Sequence, residues 1–334
     1  MCNIYIASTP FQYISALEAK HNFKSQTNII IYFSHTKDEL NFKNDGWDYI
    51  LKFNFLNATS AQKVEAYAQT LKKCKQFKID NLFLGDWHEL ISKISISYLK
   101  PSSTYIIDDG LGTIWSQELI STNIYFCYYG YSKRIKTYLR LIKKGIFFNP
   151  LHKIKPPNLF TSYKAIKPCI GQQIIYHDFE FLRQRFTNPN QKFLPDEYIY
   201  LIGAPMTRVL KNSEQGYLLI IQEILKKYNK NKIIYIPHRY ETIDFLSKIQ
   251  DLQLQIHAFN KPIEIALLEA DCLPTHIIGF FSSALVHLST LIPTLSIDSV
   301  DLRLFLKEQY IAELNFIYNY MYTNTIVKQI NLYE

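Results

Sequence analysis

Short apolar runs alternate with longer amphipathic stretches along much of this 334-residue chain. In the first part of the chain, the apolar runs that predict β-strands span residues 4–7, 28–33, 81–84 and 103–107. The stretches that predict helices span residues 11–20, 60–75 and 87–99. Pro10 stands where the first of these helices would begin. Strands and helices in this order are typical of a parallel sheet covered by helices.

The pattern is interrupted by a basic, aromatic segment at 131–148 and by the segment 151–168, which has few periodic signals and predicts a linker. The pattern then restarts. Strands are predicted at 198–203, 232–236, 252–256, 276–279 and 294–297. Helices are predicted at 213–228, 241–249, 262–270, 282–290 and within 302–320. The chain is therefore expected to form two open α/β domains of the Rossmann type, residues 1–155 and residues 156–334.

Polar residues at the ends of predicted strands are the candidates for a functional site. Open parallel sheets bind ligands at the carboxyl ends of their strands, and with two such domains the cleft between them is the expected place. The candidate segments are Ser8–Gln12, Asp108–Gly110, Pro237–Arg239, Pro262–Glu264 and Phe280–Ser283.

Two adjacent carboxylates, Asp108 and Asp109, follow the strand at 103–107 and precede Gly110. Because like charges repel, we expect the pKa of one carboxyl to be raised, which suits a general base. A turn or a helix cap at a strand end uses the same residue types. The pair lacks the DxD spacing and does not favour a metal site.

The other segments allow a functional and a structural interpretation. His238 is placed to protonate or pair with a departing phosphate, although histidines also serve in cores and caps. Ser282 and Ser283 open a helix whose N–H groups suit a phosphate, and N-capping is the alternative. Glu264 is suited to binding ribose hydroxyls or to favouring the dipole of its own helix. The residues from Thr9 to Gln12 form either a strand-to-helix turn or a polar loop at the site.

Composition narrows the class of protein. The net charge of +8 indicates an anionic partner and leaves three classes open: nucleic acid, a membrane surface and a phosphorylated substrate. The five cysteines are scattered without a CxxC pair, which argues against a zinc site or a disulfide framework. The first residues do not resemble a signal peptide, and no apolar run approaches the ~18 residues of a membrane span. A cytoplasmic protein is therefore expected.

The segment 131–148 combines basic and apolar side chains in a pattern that suits an anionic membrane surface. The basic residues are Lys133, Arg134, Lys136, Arg140, Lys143 and Lys144. The alternative is a solvated basic face of a helix. Nucleic-acid binding is not favoured, because no zinc-finger, RRM or helix-turn-helix pattern is present.

Taken in order, four motifs resemble those of the bacterial sialyltransferases of the GT-B fold. The motifs are Thr9-Pro10-Phe11-Gln12, Asp108-Asp109-Gly110, His238-Arg239 and Ser282-Ser283. The chain is most similar to glycosyltransferase family 52, the lipooligosaccharide sialyltransferases, and the resemblance covers nearly the whole chain. It differs from the family in one place, because Arg239 follows His238 where the family has proline.

The resemblance implies a role for each motif. Asp108 or Asp109 would take the proton of the acceptor hydroxyl, with Glu214 as an alternative base. His238 would be the general acid or the phosphate partner of the departing CMP. Glu264 would hold the ribose, and Ser282 and Ser283 the phosphate. The remaining substrate-binding residues would be Thr9, Gln12, Gly110 and Arg239.

The implied function is inverting, metal-independent transfer of sialic acid from CMP-Neu5Ac to a terminal galactose of a lipooligosaccharide or capsular glycan. No cofactor is required. The alternatives are a GT-B transferase that uses another nucleotide sugar, and a binding module without catalysis. A lipid-linked acceptor would place the protein on the inner face of the bacterial inner membrane through residues 131–148, and the resemblance also suggests a homodimer.

Overall fold

The computed structural model describes residues 1–35, 45–122, 130–149, 154–194 and 198–332. Its contacts divide the chain into two compact units, which we call unit 1 (Met1–Leu182) and unit 2 (Arg183–Glu334). No helix among the described residues is both long enough and apolar enough to cross a membrane.

Unit 1 contains, within its described residues, a seven-stranded parallel sheet in the order β3-β2-β1-β4-β5-β6-β7. The strands are β1 (Cys2–Ala7), β2 (Thr27–Ser34), β3 (Tyr49–Asn54), β4 (Ile79–Leu84), β5 (Ser103–Ile107), β6 (Asn158–Thr161) and β7 (Ile174–Tyr176). The helices are α1 (Pro10–Asn22), α2 (Ser60–Cys74), α3 (Leu90–Leu99), α4 (Gly112–Ser121), α5 (Tyr131–Lys143) and α6 (Glu180–Phe186), which continues into unit 2.

The central strands of unit 1 are apolar because both faces of the sheet are covered. All six residues of β1 are buried, and β2 is buried from Asn28 onward. The chain runs outward from β1 to β3 and then crosses back to β4. The loops after β1 and β4 therefore lie at the switch point of the sheet, where open α/β sheets bind ligands.

The predicted boundary at residue 155 is corrected by the structure. Strand β6 lies in the predicted linker and pairs with β5, and β7 pairs with β6, so that the first sheet continues to Tyr176. The division between the units follows later, at Leu182. The two strands are short, and β6 directly follows Pro156 and Pro157, a pair typical of a linker, so neither strand was predicted.

Unit 2 forms a second parallel sheet, six-stranded within its described residues, in the order β11-β10-β9-β13-β14-β15. Its strands are β9 (Ile199–Ile202), β10 (Ile233–Ile236), β11 (Gln255–Ile256), β13 (His276–Gly279), β14 (Ser296–Val300) and β15 (Lys328–Ile330), and β8 (Lys192–Phe193) pairs separately with β12 (Cys272–Leu273). The helices are α7 (Met206–Val209), α8 (Ser213–Lys227), α9 (Ile243–Asp251), α10 (Ile263–Glu269), α11 (Ser283–Leu291) and α12 (Glu308–Asn324). The switch point lies between β9 and β13.

The last helix, α12, belongs to the core of unit 2. It buries Leu314, Ile317, Tyr318, Tyr320 and Met321, and the Tyr318 hydroxyl donates to the Val300 carbonyl at 3.0 Å. This apolar stretch therefore packs within its own unit.

Candidate functional site

The carboxyl edge of the unit 1 sheet gathers polar residues from three neighbouring strand ends. Asp108 follows β5 and is completely buried. Its Oδ1 accepts from the Thr161 hydroxyl at 2.5 Å, and its Oδ2 accepts from the backbone N–H and the hydroxyl of Ser162, both at 2.8 Å. Thr161 is the last residue of β6 and Ser162 follows it, so the carboxylate connects the ends of β5 and β6.

His177, which follows β7, completes this cluster. Its Nε2 lies 3.6 Å from Asp108 Oδ2, and its ring stacks on Phe160 at 4.3 Å between centroids. Neither ring nitrogen has a hydrogen-bond partner among the described residues. Sequence reasoning missed His177, because the short strand that positions it carries no periodic signal.

The surroundings of Asp108 lower its pKa, so Asp108 is not a carboxyl of raised pKa. Burial raises the pKa of this carboxyl, but the nearby His177 and the hydrogen bonds from Ser162 and Thr161 outweigh burial. Asp108 is therefore an ionised carboxylate without exposed surface, and it cannot meet a substrate in this conformation.

Asp109 is the accessible member of the pair. It is partly exposed, and its backbone N–H donates to the Thr113 hydroxyl at 2.7 Å. Gly110 follows with φ of 66°, a left-handed conformation that favours glycine. In this structure Gly110 is buried and serves the turn that leads from Asp109 into α4.

The loop after β1 places Thr9 and Gln12 at the switch point of unit 1. Thr9 caps α1, with its hydroxyl accepting from the Gln12 N–H at 3.2 Å. The Gln12 side chain is buried, and its Oε1 accepts from the Ser8 N–H at 2.7 Å. Its Nε2 is buried without a hydrogen-bond partner among the described residues, and a cavity of about 20 Å³ lies beside it. That volume holds about one water molecule or one ligand hydroxyl.

Gly85 follows β4 and makes room for Gln12. A Cβ atom at Gly85 would lie 2.3 Å from Gln12 Oε1. The glutamine thus occupies the space of the missing side chain, which fixes the position of its amide.

In unit 2, His238 follows β10 at the corresponding edge and is partly buried. Its Nδ1 accepts a hydrogen bond from the Tyr240 N–H at 3.3 Å. In a neutral ring the proton then resides on Nε2, which is a donor. Burial and the neighbouring Arg239 lower the pKa of His238 to about 4. The histidine is therefore neutral at pH 7 before a ligand binds, and the expected protonated form requires an anion beside it.

A carboxylate that sequence reasoning missed, Glu241, holds the His238 loop. Its Oε2 accepts from the His238 N–H at 2.9 Å, and its Oε1 accepts from the Tyr235 hydroxyl at 2.7 Å. The Tyr235 hydroxyl lies 2.9 Å from that of Tyr217. Burial raises the pKa of Glu241 to about 7, and its hydrogen bonds offset part of that effect.

Gly203, directly after β9, leaves space for this network. A Cβ atom there would lie 2.6 Å from the Tyr235 hydroxyl and 2.8 Å from Glu241 Oε1. The spacing of Gly203, Tyr235 and Glu241 along the chain carries no motif, and only the neighbouring positions of β9 and β10 bring them together.

Ser282 and Ser283 lie at the end of β13, on the other side of β9 from His238. Ser282 is the N-cap of α11, and its hydroxyl accepts from the Ala284 N–H at 3.3 Å. Ser283 is the first residue of the helix, and both serines are partly exposed. Free N–H groups at a helix N-terminus favour an anion.

Glu264 is buried in the first turn of α10, where its Oε1 lies 3.1 Å from Nδ1 of the buried His287. One carboxylate oxygen is thus committed to a partner inside unit 2. His287, which sequence reasoning did not select, is the group that orients this carboxylate.

The two remaining candidates lie at the surface. The Arg239 guanidinium lies over the Tyr240 ring, 5.0 Å from its centroid. Glu214, the alternative base, forms a salt bridge with Lys248 between α8 and α9. Among the described residues, no group of three or more His, Cys, Asp or Glu side chains is arranged to hold a metal ion.

Comparison with known proteins identifies the fold. No protein-family model matches the chain, and no curated protein matches its sequence. The GT-B domain of a sialyltransferase from Photobacterium damselae superposes with a TM-score of 0.50 at 12% identity, over 99% of this chain and 100% of that chain. The chain has the GT-B fold.

Two other solved structures resemble this GT-B chain along its length. An α/β-galactoside α-2,3-sialyltransferase from Photobacterium phosphoreum has a TM-score of 0.49 and 13% identity, over 98% of each chain. A UDP-GlcNAc 2-epimerase from Neisseria meningitidis has a TM-score of 0.48 and 13% identity, over 100% of this chain and 96% of that chain. Membership of family 52 stays a prediction.

Proposed function

We propose that this protein is an inverting glycosyltransferase that moves sialic acid from CMP-sialic acid to a terminal galactose. The observation that carries the proposal is the arrangement at the carboxyl edge of unit 2. The Nε2–H group of His238 and the capped N-terminus of α11 lie at strand ends on either side of β9, and both are donors that suit a phosphate.

In the proposed reaction, unit 2 binds the CMP part of the donor. The bond between the anomeric carbon and the phosphate oxygen breaks, and the N–H groups of α11 and His238 Nε2 stabilise the charge that develops on the phosphate. A bound phosphate favours the protonated histidine and raises the pKa of His238 above its unliganded value. His238 then acts as the phosphate partner or general acid for the departing CMP.

Unit 1 supplies the base in this proposal. Asp109 takes the proton of the acceptor hydroxyl while the hydroxyl oxygen bonds to the anomeric carbon from the opposite face, so the anomeric configuration inverts. Asp108 is a positioning residue that fixes the turn on which Asp109 lies. Gln12 Nε2 is free to donate to a sugar hydroxyl, and the remaining oxygen of Glu264 is assigned to the ribose.

The proposed reaction needs no metal and no cofactor, because helix N–H groups and His238 neutralise the leaving group. The proposed acceptor is a lipid-linked glycan, lipooligosaccharide or capsular, reached from the cytoplasmic face of the inner membrane.

Transfer of sialic acid from CMP-sialic acid to lactose, with EDTA present, tests the proposal directly. Product from the wild type and at least a 100-fold lower rate from His238→Ala would support the donor, the absence of a metal and the role of His238. Release of CMP without transfer would support CMP-sialic acid as the donor and contradict a terminal galactose as the acceptor. A failure to turn over CMP-sialic acid in any form would contradict the proposed donor.

A second candidate is a GT-B transferase for another nucleotide sugar. Arg239 favours it, because the exposed guanidinium beside His238 replaces the proline of the family motif and adds a cation for a second phosphate. A larger thermal shift with UDP or GDP than with CMP would select this candidate. Retained CMP binding without turnover in the wild type would instead indicate a binding module.

A further inference from the structure

Helix α5 carries three kinds of surface along its length. One face packs against unit 1, where Leu141 is fully buried and the Tyr138 ring contacts Phe148 at 5.2 Å between centroids. Only this face of α5 packs in the core of unit 1. The apolar residues elsewhere on the helix therefore need another explanation.

The second surface, which we call the apolar stripe, consists of Tyr131, Ile135, Leu139 and Ile142. At 100° per residue these four positions fall within an arc of roughly 80° on one side of the helix. They are exposed by 73%, 37%, 55% and 42%, respectively. Four large apolar side chains in one exposed row differ from the single exposed hydrophobics found on most protein surfaces.

The third surface, the basic stripe, consists of Lys133, Lys136, Arg140 and Lys143. These positions occupy the next arc of roughly 80° and are all exposed. The sequence has no acidic residue from 131 to 149, so no acidic side chain of α5 itself lies among these cations. Glu65 of α2 pairs with Lys144, beyond the end of the helix.

A further exposed apolar side chain follows α5 in the chain. Gly145 turns the backbone with φ of 75°, Ile146 returns to the core, and Phe147 is 69% exposed. Phe147 therefore directly follows a buried residue and adds one more exposed apolar side chain just beyond the helix.

We propose that α5 and Phe147 form a surface that lies in the headgroup region of an anionic lipid bilayer, with the apolar stripe inserted and the basic stripe on the lipid phosphates. An exposed apolar face beside a basic face is the arrangement of interfacial helices. Nucleic acid would use the basic stripe but leave the apolar stripe in water. This proposal is independent of the reaction proposed above.

Flotation of the full-length protein with vesicles tests the surface. We expect binding to vesicles of phosphatidylcholine with phosphatidylglycerol and at least tenfold weaker binding to phosphatidylcholine alone. Each cation near an anionic surface contributes about fivefold in partitioning, so Lys136→Gln with Arg140→Gln should lower the partition coefficient by about 25-fold. Ile135→Ser with Leu139→Ser should lower it at least tenfold, because their apolar side chains no longer insert.

Matched variants control for overall charge and hydrophobicity. Lys72→Gln with Lys73→Gln removes two exposed cations from α2, and Ile243→Ser with Leu304→Ser removes two exposed apolar side chains from unit 2. Both should bind vesicles as the wild type does. Because all the substituted residues are exposed, the melting temperature of each variant should stay near that of the wild type.

Three outcomes would overturn the proposal. The first is equal binding to both kinds of vesicle, and the second is no binding to either kind. The third is a loss of binding in the control variants as large as in the α5 variants. Salt-sensitive binding to DNA that depends on Lys136 and Arg140, but not on Ile135 and Leu139, would assign the basic stripe to nucleic acid instead.

Discussion

Asp108 and Asp109 are adjacent in the sequence, but the fold gives them different surroundings. Asp108 turns inward against the loop after β6 and accepts hydrogen bonds from Thr161 and Ser162. Asp109 remains partly exposed at the sheet edge. A buried ionised group needs partners, whereas a partly exposed carboxyl can be reached by a substrate. Hence, we expect Asp108 to contribute mainly to the free energy of unfolding and Asp109 mainly to the rate of the proposed reaction.

Substitution of each aspartate by asparagine separates these roles. Asp108→Asn should lower the free energy of unfolding by about 1–3 kcal/mol, because the amide replaces one acceptor oxygen with a donor facing other donors. Asp109→Asn should change it by less than about 0.5 kcal/mol and lower kcat at least 100-fold. Denaturant unfolding and the transfer assay measure the two effects. A stable but inactive Asp108→Asn would contradict this assignment.

Glu241 gives unit 2 a pH-dependent stability. Burial raises its pKa from 4.5 to about 7, so folding favours the protonated carboxyl. Its contribution is fully present below about pH 4.5 and is lost as the pH rises through about 7. Glu241→Gln keeps the uncharged form, with its oxygen on the His238 N–H and its amide on the Tyr235 hydroxyl.

We therefore expect Glu241→Gln to match the wild type at pH 5 and to exceed its free energy of unfolding at pH 8, by up to about 3 kcal/mol. Denaturant unfolding at several pH values measures the difference. Glu223→Gln, at the surface of the same unit, should follow the wild-type curve. Parallel curves for Glu241→Gln and the wild type would show that Glu241 does not titrate in this range.

At the scale of elements, strand order decides which helix ends lie at the switch point of a sheet. Helix α11 begins at the end of β13, beside the switch point, and its N-cap Ser282 uses its hydroxyl on its own backbone. Ser283 occupies the first turn. The two serines of one motif therefore contribute differently to folding, although the proposal assigns both to the phosphate.

Ser282→Ala should lower the free energy of unfolding by about 1 kcal/mol through loss of the cap, whereas Ser283→Ala should leave it nearly unchanged. Both variants should weaken CMP binding. Thermal unfolding and calorimetric titration with CMP separate the two effects. Equal stability of the two variants would show that the Ser282 cap contributes nothing.

At the scale of the whole molecule, the chain consists of two units, each with its own sheet. The Asp108 cluster belongs to unit 1, and the network of Gly203, Tyr235 and Glu241 belongs to unit 2. A disturbance of either one should therefore loosen chiefly the unit that contains it.

Amide hydrogen exchange of two variants tests this division. Asp108→Asn should speed exchange around β5, β6 and β7, and Gly203→Ala should speed it around β9 and β10, because its Cβ atom meets Tyr235 and Glu241. Gly112→Ala, in open space at the start of α4, is the neutral control. Faster exchange throughout the chain in either variant would contradict independent units.

The sequence by itself determined the parallel α/β class and the strand ends at which polar residues gather. Both follow from local periodicity, because an apolar run buried on two faces and an amphipathic helix each leave their pattern in consecutive residues. The motifs at Thr9, Asp108, His238 and Ser282 were found for the same reason, since each follows a strand that can be recognised.

Only the tertiary structure decided the limits of unit 1 and the difference between the paired aspartates. The short strands β6 and β7 are defined by pairing with β5, and that pairing brings Thr161, Ser162 and His177 to Asp108 from far along the chain. Glu241 likewise gains its environment from Gly203 and Tyr235 on neighbouring strands. Burial and pKa depend on such distant contacts, and no local pattern encodes them.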